Sequence, residues 1–505
     1  MDFLPVQYLP ELLTFSNLWA LILGALVGMI IGAIPGMGTM IAIVLLLPMT
    51  YYMDPVPSLL LLLSAYQASE YGGSISAIVL GIPGIPAAAA TVLDGTPLAR
   101  NKSPGKALGY SLYAGFMGGI VGGLALIFLS VPLTRFALRV SDPEVFLMCL
   151  IGLMSVGLLT TPNKLNSLIS VVLGLMASTV GLDLLTGRGR FIFGEPVLMD
   201  GINIIALVVG LYAVPELMSM ISGGLKKRRS FEAGKLSTFL TPREILGTLK
   251  SSSIGSFIGT IVGMVPGLGA NIASFVSYAA AKKASRHPET FGKGNPEGIA
   301  APEAANNSSV GGGLIPLLSL GIPGTPAAAV IAGAFVIQGI QPGPQVLARD
   351  PGLVFGIFYG FLATAVVMFY MGRLLSPLFT RILIVPASTL VPIILLLSIV
   401  GVFASRQVFF DLWLALAIGV GVYFLNKLEF SSAAMIVAFV LGPIMETSLR
   451  RALVLSSGSY SVFFTRAYSQ VLLVLLAGII AAGIWSYLAV RRRGGENLAS
   501  SGSVP

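Results

Sequence analysis

From Ala107 to Leu129 the chain carries no charged side chain. A helix of that length rises far enough to cross the roughly 30 Å hydrocarbon core of a bilayer. Comparable apolar runs cover Leu18–Ile34, Leu165–Leu185, Ile202–Ile221, Val354–Leu375, Thr389–Phe403, Val408–Phe424 and Val471–Val490. Over the whole chain 55% of residues are hydrophobic, 10% are charged, and the mean hydropathy is +0.91. Soluble domains carry about a quarter charged residues. The fold class that follows is an all-α polytopic membrane protein with about a dozen crossings. The first fifteen residues hold no Lys or Arg, so they lack the basic n-region of a cleavable signal. The single cysteine, Cys149, sits in an apolar run and reads as packing.

The formal charge of +9 reads as orientation rather than as an acidic partner. Basic loops of membrane proteins stay on the cytoplasmic side. The stretch with Lys226, Lys227, Arg228, Arg229, Lys235 and Arg243 is therefore expected inside, as are Arg491, Arg492 and Arg493. The N-terminus carries Asp2 and Glu11 and no early basic residue, which leaves it free to lie outside. No zinc spacing, RNP-like motif or basic-aromatic stripe points to nucleic acid.

Two phrases are written twice. "LGIPGIPAAA" from Leu80 returns as "LGIPGTPAAA" from Leu320. "IIGAIPGMGTMIA" from Ile30 returns as "IVGMVPGLGANIA" from Ile261. The order is the same in both halves. This predicts an internal duplication: a first unit 1–225, a basic cytoplasmic linker 226–242, and a second unit 243–505 with an extra C-terminal helix and a polar tail. An outside N-terminus and an inside linker suit inverted repeats with an odd number of crossings each.

Each phrase breaks a helix. Proline removes a backbone donor and pushes the residue before it out of the helical region. Glycine then allows positive φ. Backbone groups freed this way cannot face lipid. Matched breaks in two halves are the sequence pointer to a substrate site near the midplane, formed by broken helices or re-entrant hairpins. A helix start offers open N–H groups and about half a positive charge, which suits a carboxylate. Two such starts cannot balance a citrate-like anion, so co-bound Na⁺ or H⁺ is the economical complement. No other cofactor is called for.

The polar residues beside the breaks supply the candidates. For substrate contact they are Gly36, Gly38, Ser69, Tyr71, Gly72, Gly73, Ser74 and Gly84 in the first half. In the second half they are Gly267, Gly269, Asn271, Asn306, Asn307, Ser308, Gly324 and Thr325. The hydroxyls, amides and glycines fit an anion pocket and close helix packing equally well. Glu70 and Glu303 are the cation-coupling candidates, because ionisable groups in membrane segments are functional by default. The loop that precedes Glu303 is polar and open to solvation, which leaves Glu303 with less claim to membrane depth than Glu70. Gln67 and Ser76 share the stretch with Glu70. Asp94 has no counterpart in the second copy, where Ala334 stands, and reads as a cap or turn. The one histidine, His287, lies in a polar loop, and no HExxH, CxxC or Walker A phrase suggests an enzyme.

The phrases "GAIPGMG", "YGGSISAIVLGIPG", "TVLDGTPLAR", "GRGRFIFGEPVLMDGI" and "GNPEGIAAPEAANNSSVGGGLIPLLSLGIPGTPAAA" resemble the large integral membrane subunit of the tripartite tricarboxylate transporter family. The loop "ARNKSPGKALG" departs slightly from that pattern. The resemblance implies a bacterial inner-membrane complex with a small four-helix membrane subunit and a periplasmic solute-binding protein. It implies cation-driven uptake of citrate or related carboxylates without ATP. Dependence on a binding protein comes from the resemblance alone; the residues themselves fit a stand-alone carboxylate permease or a channel as well.

Overall fold

The computed structural model describes residues 6–159, 163–183, 186–222, 237–382 and 387–501. Of the basic linker 226–242, residues 226–236 lie outside the described residues. Nine described helices are long and apolar enough to cross a membrane. The chain is an all-α polytopic membrane protein.

In chain order the helices are α1 (Leu9–Leu12), α2 (Phe15–Ala33), α3 (Gly38–Leu46), α4 (Pro55–Leu80), α5 (Ala89–Asn101) and α6 (Pro104–Ala137). Then come α7 (Asp142–Leu159) and α8 (Lys164–Ser178), and the short strands β1 (Gly181–Leu182) and β2 (Gly189–Arg190). They are followed by α9 (Ile204–Val208), a π-helical turn Val209–Ala213, α10 (Val214–Ser222), α11 (Pro242–Met264), α12 (Gly269–Ala284), α13 (Glu297–Leu320) and α14 (Pro326–Ile337). The remainder are α15 (Pro344–Arg349), α16 (Pro351–Ile382), α17 (Ala387–Arg406), α18 (Phe409–Lys427), α19 (Ser432–Leu455), α20 (Val462–Thr465) and α21 (Ala467–Ser501). The apolar run 165–185 does not stay helical: α8 stops at Ser178, and Gly181 turns with φ 123° into β1. Helix α21 continues into the stretch read as a polar tail, as far as Ser501.

Packing divides the chain into two units, Met1–Leu138 with Asn203–Phe424, and Arg139–Ile202 with Leu425–Pro505. Each unit draws on both halves of the sequence. Units of packing are thus distinct from the sequence halves marked by the repeated phrases.

In the first unit the repeated phrases take the same backbone form. Helix α2 ends at Ile34 (φ −83°, ψ 112°) and α11 at Val265 (φ −89°, ψ 114°), each forced extended by the proline that follows. Gly36 and Gly267 then turn at φ 92° and 89°, Gly38 and Gly269 at 66° and 62°. Helices α4 and α13 end in left-handed glycines, Gly81 and Gly321, at φ 73° and 77°. Past them the Gly84 amide donates to the Gly73 carbonyl (3.0 Å), and Gly324 to Gly313 (3.3 Å).

The glycines also set how closely these helices approach. Gly24, Gly28 and Gly32 of α2 press on the backbone of Leu61, Ala65 and Ser69 of α4. Gly255, Gly259 and Gly263 of α11 press on Ala301, Ala305 and Ser309 of α13. Small residues at four-residue spacing let helix backbones touch, which is the main packing device in a bilayer. Gly118 and Gly122 of α6 close on α13 from another side, against Ala304 and Ser308. So α4 and α13, which carry the polar residues, are almost wholly buried.

In the second unit β1 and β2 pair antiparallel, Gly181 opposite Arg190. Arg190 and Arg450 share Asp183 and Glu446, with Arg190–Glu446 at 2.7 Å and Arg450–Asp183 at 3.1 Å. Gly174 lets α8 press on the Met435 carbonyl of α19.

Candidate functional site

The two breaks of each half come together. A Cβ placed on Gly38 would sit 3.9 Å from the Gly84 carbonyl oxygen, and the Gly267 amide donates to the Gly324 carbonyl at 3.3 Å. Around these turns lies a buried polar layer drawn from α3, α4, α5, α6, α13 and the start of α14.

Two carboxylates dominate it. Glu70 accepts from the Thr39 hydroxyl at 2.9 Å. Glu303, 0% exposed, accepts from the hydroxyls of Thr91 on α5 and Ser111 on α6, the latter at 3.1 Å. Although a polar loop precedes it, Glu303 itself is shut off from solvent: α5, α6 and α12 pack against α13. Ser111 in turn shares a hydrogen bond with Ser74 at 2.7 Å. Among the described residues neither carboxylate has a Lys, Arg or His partner.

Amides surround them. Asn306 Nδ2 lies 3.4 Å from the Glu70 carbonyl oxygen, and Asn307 Nδ2 donates to the Glu303 carbonyl at 3.1 Å. The Oδ1 atoms of both asparagines are buried without a hydrogen-bond partner, and so are both ends of the Gln67 amide. Gln67 lies against Gly119 of α6 and Asn307 against Gly115, one turn apart. Tyr66 and Thr325 join through their hydroxyls at 3.2 Å, while Thr325 also caps α14 by accepting from the Ala328 amide. A buried polar atom without a partner costs roughly 1–3 kcal/mol. Several in one layer mark a place where a ligand, an ion or water completes the bonding.

Other candidates sit apart or serve packing. Ser69 and Ser308 bond to carbonyls of their own helices. Gly72 closes on the Met29 carbonyl and Gly73 on the Ile85 side chain. Gly324 lies against Gly263 and Gly313. The Tyr71 ring packs by Gly372. Gly36 lies beside Glu216 rather than in the polar layer, Gly269 has nothing within 4 Å of its Cβ position, and Asn271 is exposed. Thr39, Tyr66, Thr91 and Ser111 were not among the sequence candidates. Thr39 had a signal, since it directly follows the Gly38 break, and so did Tyr66, which adjoins Gln67 in the polar stretch around Glu70; Thr91 and Ser111 are isolated hydroxyls in apolar text.

Asp94 is neither a cap nor a turn. Its carboxylate accepts from the amides of Gly292 (2.9 Å), Gly294 (2.8 Å) and Asn295 (2.7 Å) and from the Tyr278 hydroxyl (2.8 Å). It ties α5 to the loop that opens α13. Asp94→Asn would turn an amide N–H₂ toward that ring of donors. We expect it to lower stability by about 3 kcal/mol, measurable as a reduced unfolding temperature in detergent. An unchanged midpoint would show that the loop is held by other contacts.

A sequence model described as the tripartite tricarboxylate transporter TctA family matches residues 18–437. This chain belongs to the TctA family. A relative from Agrobacterium vitis, described as an uncharacterized 52.8 kDa protein in the TAR-I ttuC' 3' region, is 35% identical over 472 residues, 93% of this chain and 94% of the relative. A second, described as an uncharacterized protein in the TAR-II ttuC' 3' region of the same organism, is 37% identical over 217 residues, 43% of this chain and 90% of that protein. No solved structure matches the chain. The TctA match takes in every residue of the buried polar layer. This TctA chain is accordingly a multi-pass membrane subunit of a tripartite tricarboxylate transporter, and its family is one of transporters.

Proposed function

We propose that this chain is the translocating subunit of a secondary transporter that takes up small carboxylates, citrate-like tricarboxylates among them, with a Na⁺ or H⁺ gradient as the driving force. The observation that carries this reading is the pair of buried carboxylates, Glu70 and Glu303, beside the converging breaks and, among the described residues, without a basic partner. An anionic substrate entering this layer meets negative charge. Cations must enter with it, because unpaired charge in a low-dielectric site costs several kcal/mol. The breaks supply the anion's share: α14 begins beside Thr325, and a helix start carries about half a positive charge. Asn306, Asn307 and Ser74 are the side chains placed to complete the contacts. The matched breaks support an inverted duplication of units 1–225 and 243–505 joined by the basic segment 226–242.

In this reading the chain sits in a bacterial inner membrane with its N-terminus periplasmic and its linker and C-terminus cytoplasmic. It works with a small four-helix membrane subunit and a periplasmic solute-binding protein. The test is uptake of labelled citrate and smaller carboxylates into proteoliposomes holding both membrane subunits. We expect accumulation that needs the binding protein and a Na⁺ or H⁺ gradient. Accumulation with a gradient but no binding protein would instead establish a stand-alone permease, and flux indifferent to both would establish a channel.

A further inference from the structure

The span Ile204–Ser222 has a mean hydropathy of 2.1 and one charged residue, Glu216. It lies six positions before the end of α10, roughly 9 Å along the axis. Its carboxylate turns toward the first break: a Cβ placed on Gly36 would stand 3.1 Å from Glu216 Oε1. The next residue, Leu217, packs with Ile31, Ile34, Met37, Ile41 and Ile394. Helix α10 is thus seated on the break by apolar contacts, and Glu216 is held there with it.

Among the described residues Glu216 has no hydrogen bond and no ion pair. The residue it touches is a glycine in the left-handed region, with no side chain to offer. One turn earlier the Tyr212 hydroxyl is also buried without a partner, in the π-helical turn Val209–Ala213. Such turns recur at functional sites. An acid in an apolar span is expensive and marks function by default. On its other flank the same break reaches Glu70 through Thr39. The second break has no such arrangement: Ala270 follows Gly269, whose Cβ position is open, and Gly267 is tied to Gly324.

We propose that Glu216 is a further cation-binding carboxylate of the transport site, serving the first break alone and taking a monovalent cation, sodium ion or proton. The proposal rests on the cation-driven reading above. The other titratable groups on elements packed around α10 are accounted for differently. Glu70 is bonded to Thr39, Asp411 to Asn203 and Tyr423 to Ser222. Arg406 and Lys427 lie in the last turns of α17 and α18.

The test is Glu216→Gln in proteoliposomes with both membrane subunits and the binding protein. Uptake is followed against Na⁺ at fixed pH and against pH at fixed Na⁺, and the cation-to-carboxylate ratio is taken from the membrane potential that nulls net flux. We expect one of the two activation curves to shift about tenfold or more, and the ratio to fall by one cation. The curve that moves names the ion. If E216Q does not assemble, Glu216→Asp, which keeps the charge and withdraws it by one methylene, is expected to shift the same curve. Curves and ratio that superimpose on those of a cation-driven wild type overturn this site alone. A wild type that needs no cation overturns the transport reading and this site with it.

Discussion

Gly259→Ala is expected to cost far more stability than Gly247→Ala, although both glycines lie in α11 and both changes add one methyl. A Cβ on Gly259 would overlap the Ala305 carbonyl and the Ser308 hydroxyl of α13, whereas nothing lies within 4 Å of that position on Gly247. A carbonyl inside a helix cannot step aside without breaking its own hydrogen bond, so the two helices must part. Overpacking of this kind costs about 1–3 kcal/mol, and separation would spread along Gly255, Gly259 and Gly263 together. At Gly247 the same change removes glycine's backbone entropy and gains about 0.5–1 kcal/mol. Gly28→Ala on α2 should behave like Gly259→Ala, since it meets Ala65 as Gly259 meets Ala305. Unfolding temperatures of the three variants in one detergent decide the matter. Equal shifts at Gly247 and Gly259 would mean that the ridge does not set the approach of α11 and α13.

That ridge also shows where reading by sequence stops. Pro35, Gly36 and Gly38 dictate a local backbone, and so do Pro266, Gly267 and Gly269. The breaks were legible because proline and glycine act on their own residue and its neighbours. The glycines next to the polar residues were ambiguous for the opposite reason. Whether Gly72 lines a pocket or admits a neighbouring backbone depends on Met29, more than forty positions away, and the structure places it in packing. Glu303 follows a polar loop, yet its donors are Thr91 and Ser111, some two hundred positions earlier. Asp94 looked local and closes a ring of amides in the other half of the chain. Long-range partners of single polar side chains leave no periodic trace, which is why Thr39 was within reach and Ser111 was not.

The largest functional effect is expected from Glu303→Gln. Glu303 receives two hydroxyl donors, Thr91 and Ser111, and Ser111 also joins Ser74, so the carboxylate ends a short hydroxyl chain linking α4, α5, α6 and α13. Glutamine fills the same volume but presents one oxygen and one N–H₂ group. One hydroxyl must then rotate away or lose its partner, at about 1–3 kcal/mol. Under the proposed function the loss of charge is the greater effect, because the cation that offsets the substrate loses a ligand. Gradient-driven uptake should fall about a hundredfold, the equivalent of roughly 2.7 kcal/mol. Thr91→Val keeps the charge and removes one donor, so it should cost about tenfold. Glu303→Asp should retain cation dependence with weaker activation. A purely architectural Glu303 makes a different set of results: E303Q and T91V would lower the unfolding temperature alike and leave the cation activation of the surviving uptake where it was. Measuring uptake against cation concentration beside thermal unfolding separates the two, because only a coupling carboxylate moves the first without a matching change in the second.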